Sequence, residues 1–146
     1  MKIERDLHWI RYFQDNVSFD SDKVGKWMYF FPKDFDAFDY AAEVCEEAVR
    51  RGIVLSSKHT SDRDLFAPRG VACFYIHGDD RESHKKVIAY FLEKRLIPKT
   101  KSGRLYNIAF KYDNQTRAKQ YGDEFAAEIQ LDQFINLDTG EWLPAK

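Results

Sequence analysis

Two runs decide the fold, Ile53-Val54-Leu55-Ser56-Ser57-Lys58 and Val71-Ala72-Cys73-Phe74-Tyr75-Ile76-His77. Both are apolar, β-branched or aromatic, and both read as strands, the second buried enough to be central. Between them, Thr60 to Gly70 holds Asp62, Arg63, Asp64 and Pro68 and has loop chemistry, without the apolar period of a helix. Two strands in succession with no helix between them argue against a doubly wound parallel sheet.

Working upstream, Lys26-Trp27-Met28-Tyr29-Phe30-Phe31 is an aromatic strand stopped by Pro32. Asp34 is placed to cap a helix from Phe35 to Arg51, with Phe38, Ala41, Ala42, Cys45, Ala48 and Val49 on one stripe. Arg50 and Arg51 suit its C-terminus, and Gly52 ends it. Earlier still, Leu7 to Phe13 reads as a short helix or an edge strand. Downstream, Gly78-Asp79-Asp80 turns the chain and Asp80 or Ser83 caps a second helix, which buries Val87, Ile88, Phe91 and Leu92 and is stopped by Pro98. A strand from Leu105 to Tyr112 and a turn at Asp113-Asn114-Gln115 follow. Thr116 to Leu131 is open between helix and strand, and Asp138-Thr139-Gly140 predicts a hairpin over Phe134 to Leu143. The expected fold is α+β: a mostly antiparallel sheet with helices packed on one face.

At 146 residues and 17.3 kDa, with no repeat and no linker, the chain is expected to form a single domain over 1–146. Hydrophobic residues at 44% and aromatics at 16% exclude a disordered tail. No apolar run approaches the ~20 residues that span a bilayer, and Met1-Lys2-Ile3-Glu4-Arg5-Asp6 lacks the apolar core of a signal peptide. A cytoplasmic location without membrane partners is expected. The net charge of −1 is unevenly spread: residues 81–119 carry 11 Lys/Arg against 3 Asp/Glu, residues 1–80 carry 11 against 15, and residues 120–146 carry 1 against 6. A basic middle between acidic ends suits either a phosphate-facing surface or ordinary solvated pairs.

The sequence has no GxGxxG, P-loop lysine motif, HExxH or GxSxG. His8, His59, His77 and His84 share no metal-ligand spacing, and Cys45 and Cys73 read as small core residues, so neither metal nor cofactor is expected. His84, beside Lys85 and Lys86, reads as a surface residue, and His77 as a structural one. Lys58 closes the second strand. Lys111, late in the strand Leu105 to Tyr112, lies on the face opposite Phe110 and Tyr112. Thr116, Arg117 and Tyr121 follow at once. Lysines, a guanidinium and hydroxyls on neighbouring segments are the donors a phosphate requires, and Trp27 with Tyr29 offers a stacking surface for a base.

Gly25-Lys26-Trp27-Met28-Tyr29-Phe30, Ser57-Lys58-His59-Thr60, Val71-Ala72-Cys73-Phe74-Tyr75-Ile76 with Asp79-Asp80, and Phe110-Lys111-Tyr112-Asp113-Asn114-Gln115-Thr116 with Tyr121-Gly122 occur in that order. Over roughly residues 24–122 this resembles the family of the basophilic leukaemia expressed protein and its bacterial relatives, labelled phosphothreonine lyase domains. The resemblance implies the fold of the cap-binding translation initiation factors, a curved antiparallel sheet backed by helices. The expected function is a binding module for a nucleotide or other phosphorylated small ligand, using Lys26, Trp27, Lys58, Lys111, Thr116, Arg117 and Tyr121. One alternative is a phosphothreonine-lyase-like elimination, with Lys58 or Lys111 as base and His59 as acid. That alternative meets a difficulty, because adjacent strand residues point to opposite faces. The other is a protein-interaction inhibitor or regulator, such as one from a mobile element, acting on a protein partner without a small ligand. No recognition-helix motif points to sequence-specific DNA binding.

Overall fold

The computed structural model describes residues 1–113 and 129–144. In chain order its elements are β1 (Lys2–Arg5), β2 (Trp9–Phe13), β3 (Val24–Phe31), α1 (Phe35–Arg50), β4 (Ser56–Thr60), β5 (Gly70–His77), α2 (Arg81–Lys94), β6 (Ala109–Tyr112) and β7 (Ile129–Gln130). The strands form one open sheet in the order β1-β2-β4-β5-β3-β6-β7, with every pairing antiparallel. The α+β architecture expected from the strand–loop–strand pattern is therefore the one adopted.

Strand alternation assigns two faces. Trp27, Tyr29 and Phe31 of β3 share one face with their cross-strand neighbour Phe74 of β5. Both helices cover that face. Phe31 meets Phe38 of α1 edge-on at 5.4 Å, Phe74 meets Phe91 of α2 at 5.1 Å, and Tyr90 of α2 donates its hydroxyl to the Val44 carbonyl of α1 at 2.6 Å. Asp34 caps α1 as expected, its carboxylate accepting the Ala37 amide at 2.9 Å. The buried stripe of α1 is Ala41, Val44, Cys45, Ala48 and Val49.

Several boundaries differ from the sequence reading, each for a hydrogen-bonding reason. Leu7 to Phe13 supplies β2, an interior strand; the edge on that side is β1, whose short charged run Lys2-Ile3-Glu4-Arg5 is the composition that discourages further pairing. The strand expected from Ile53 starts at Ser56, because the Ile53 and Val54 amides both close α1 on the Ala48 carbonyl. The strand expected from Leu105 is confined to Ala109–Tyr112, since the Leu105 amide bonds Leu137 and the Ile108 amide bonds Tyr106. Helix α2 stops at Lys94, well before Pro98: Arg95 adopts a left-handed conformation, φ 57°, and the Leu96 amide returns to the Phe91 carbonyl. Asp80 is its cap. The terminal hairpin is present, with Ile135 bridged to Trp142 and Asn136 accepting the Asp138 and Thr139 amides.

His84 is not a surface residue. It is only 2% exposed, its Nδ1 accepts the Trp27 indole N–H at 3.1 Å, and its Nε2–H donates to the Gly78 carbonyl at 2.8 Å. Its helical position faces the sheet, and the two hydrogen bonds offset the loss of water. Among the described residues no helix is long and apolar enough to cross a membrane.

Candidate functional site

The face of the sheet turned away from the helices carries the chemistry. Alternation puts Arg11 and Phe13 of β2, Lys58 and Ser56 of β4, Tyr75 of β5, Lys26 and Val24 of β3, and Lys111 of β6 on this open face. The register arranges them in rows. Arg11 stands directly opposite Lys58 across β2–β4. Phe13, Ser56, Tyr75, Lys26 and Lys111 form the next row. Phe19, from the connection between β2 and β3, joins them, and this set, Lys111 apart, lines a cavity of about 430 Å³ together with Asp113.

Each cation in the cavity has a distinct environment. Arg11 donates to Asp6 at 2.7 Å, while the other Asp6 oxygen accepts the His8 and Trp9 amides. The Arg11 hydrogen bond and those two amides hold the Asp6 carboxyl at about 2. Lys26 pairs with Asp113 at 3.1 Å, with side chains 13% and 29% exposed. Lys58 differs from both. Its ammonium lies 4.0 Å from the Trp9 ring centre and 5.8 Å from that of Tyr75, and among the described residues no carboxylate lies within ion-pairing distance. Burial, with smaller contributions from Lys26 and Arg11, pushes the Lys58 ammonium below its ordinary value. Burial likewise raises the Tyr75 phenol, keeping it protonated at neutral pH.

The sequence-predicted set is only partly assembled here. Lys26 and Lys58 line the cavity, and Lys111 shares their face directly opposite Lys26 but is not part of the cavity wall. Trp27 is on the other face and fully buried, against His84, Phe110 and Phe134, so it offers no stacking surface to a ligand. Its period-two position opposite Lys26 excludes both from one pocket. Thr116, Arg117 and Tyr121 lie outside the described residues. His59, the acid of the elimination alternative, is buried on the helix face: its Nδ1–H donates to the Thr60 carbonyl at 2.9 Å and its Nε2 accepts the Tyr12 hydroxyl at 3.1 Å. It cannot serve a pocket containing Lys58. Both cysteines are buried, with thiols raised by burial: Cys45 lies in the core under the helices as expected, and Cys73 lies on the open face opposite Lys58. Among the described residues no group of His, Cys, Asp and Glu is arranged to hold a metal.

Arg11, Phe13, Phe19, Tyr75 and Asp113 were not singled out by sequence reasoning. The Trp9-Arg11-Phe13 alternation would have exposed Arg11 had Leu7 to Phe13 been read as an interior strand. The cavity's cations all come from residues 1–80, the segment with an acidic surplus, whereas several cations of the basic middle are paired, Lys94 with Glu47 and Arg104 with Asp138 among them. A second cavity of about 650 Å³ opens beside the end of α2, but its cations Arg95 and Lys99 are exposed to solvent and hold none of the charge under burial. By fold and site this is an α+β sheet protein with a cationic, aromatic-walled cavity on its open face. The chain matches no family model and no curated protein.

Proposed function

We propose that the protein is a binding module for a nucleotide or other phosphorylated small ligand, held in the cavity on the open face. The observation that carries this reading is the cross-strand pair Arg11–Lys58. Like charges directly opposite in a sheet are destabilising, and Lys58 adds a desolvation cost with no carboxylate of the described residues beside it. An anion between the two removes both penalties, and guanidinium plus ammonium donors suit a phosphate. Lys26, paired with Asp113, and Lys111 also stand opposite one another on this face. Membership of the basophilic leukaemia expressed protein family, with its cap-binding type of sheet, is part of the same proposal.

A thermal-shift panel of nucleotides, inorganic phosphate and phosphothreonine peptides tests it. A ligand at about 100 times Kd adds about 2.7 kcal/mol, or about 8 °C for a chain of this size. Lys58→Met keeps the apolar stem and removes the charge. It is expected to abolish the ligand shift while moving the ligand-free melting temperature by less than about 3 °C, equivalent to about 1 kcal/mol. A wild-type shift that survives in Lys58→Met places the ligand elsewhere.

A further inference from the structure

We infer that the ligand is a nucleotide carrying a single phosphate, linear or cyclic, rather than a di- or triphosphate, an inference that rests on the phosphoryl reading above. The first ground is charge. Arg11 is matched by Asp6 at 2.7 Å and Lys26 by Asp113 at 3.1 Å, which leaves Lys58 as the cavity cation without a carboxylate among the described residues. The described wall therefore carries one unmatched positive charge, which equals the charge of a phosphodiester, meets about half that of a phosphomonoester, and falls further short of a di- or triphosphate. Further phosphates would have to lie against Asp6 or Asp113, or displace an existing pair.

The second ground is spacing. Arg11 and Lys58 form one row of the open face, and the next, two residues along the strands, is Phe13, Ser56, Tyr75 and the Asp113-paired Lys26, with Lys111 beyond Lys26. Two residues of strand are about 7 Å, the span of one ribose between a base and its phosphate. Phe19 and Val24 also line the cavity, so aromatic and apolar side chains stand in its wall beside the cations. Phe19 lines the cavity and is 41% exposed, and an aromatic side chain there is the kind of group on which a base stacks. The volume, about 430 Å³, is in the lower part of the ~300–1,000 Å³ range of small-ligand sites and takes one nucleotide, not two.

Isothermal titration calorimetry on the full chain decides it, using the four nucleoside 5′-monophosphates, cyclic AMP and cyclic GMP, the matching triphosphates, the free nucleosides, inorganic phosphate and a phosphothreonine peptide. At least one single-phosphate nucleotide is expected to bind about tenfold tighter than its triphosphate and than inorganic phosphate, and the linear and cyclic arms separate the two forms. A triphosphate, inorganic phosphate or the phosphopeptide binding as tightly overturns this inference and leaves the phosphoryl reading standing. Nucleosides binding as tightly as their monophosphates, or no phosphorylated compound binding at all, overturns both. Phe19→Ala, at an exposed position, is expected to weaken the nucleotide about tenfold without changing the affinity for inorganic phosphate. Phe19→Trp restores it, and an unchanged nucleotide affinity in Phe19→Ala overturns the placement of the base.

Discussion

Lowering the pH from about 7.5 to about 5.5 should destabilise this protein through two buried histidines. His59 and His84 are each 2% exposed, and burial pushes both rings below the ordinary value of 6.5. The hydrogen bonds supply the reason. The Gly78 carbonyl can only accept, so His84 Nε2 carries the proton and Nδ1 must accept the Trp27 indole N–H. A proton added at Nδ1 would face that N–H donor to donor. A group with a depressed folded value binds fewer protons folded than unfolded, so its stability contribution is complete above 6.5 and declines as the pH falls below it. For a ring that stays neutral in the fold, two pH units centred on 6.5 cost about 1.4 kcal/mol, and the two rings together at most about 2.7 kcal/mol. The carboxylates with lowered values titrate below this window. Urea unfolding at the two pH values measures the loss directly. His84→Gln retains an acceptor for Trp27 and a donor for Gly78, and is expected to remove about half of the pH dependence. A wild-type stability that is flat or rises on acidification, or a slope untouched in His84→Gln, would refute the argument.

Two further substitutions test the frame that presents the cavity. Gly25→Ala would set a methyl inside van der Waals contact of the Lys111 carbonyl and the Phe110 ring, where β3 and β6 approach closely. The backbone contact cannot yield as a side chain would, so a loss of about 2–3 kcal/mol is expected in chemical denaturation; a loss below about 0.5 kcal/mol would mean that the β3–β6 register is wrong. Asp34→Ala removes the α1 cap and should cost about 1 kcal/mol, with Asp34→Asn recovering most of it; equal stability of both variants would show the cap to be idle.

The sheet-and-helix order was legible because its signals are local. Pro32, the Asp34 and Asp80 caps, Gly52 and the Asp138-Thr139-Gly140 turn act within a few residues of themselves. The aromatic runs around Trp27 and Phe74 declare strands by composition alone. Alternation also settled one point of chemistry, since Lys58 and His59 had to face opposite ways, and they do.

What the sequence could not state is which face becomes which, and what lies across from it. Trp27 looks as suited to stacking on a base as to filling a core; only the arrival of α2, with His84 beneath its indole, commits it to the core. Arg11 and Lys58 are 47 residues apart in sequence, and nothing near either one signals the other. The β2–β4 register makes them neighbours, and the register depends on the pairing of whole strands rather than on the residues at the contact. Secondary structure is written in short-range chemistry that a single strand or helix carries by itself. The cavity is a property of four strands at once, so it exists only after they have paired.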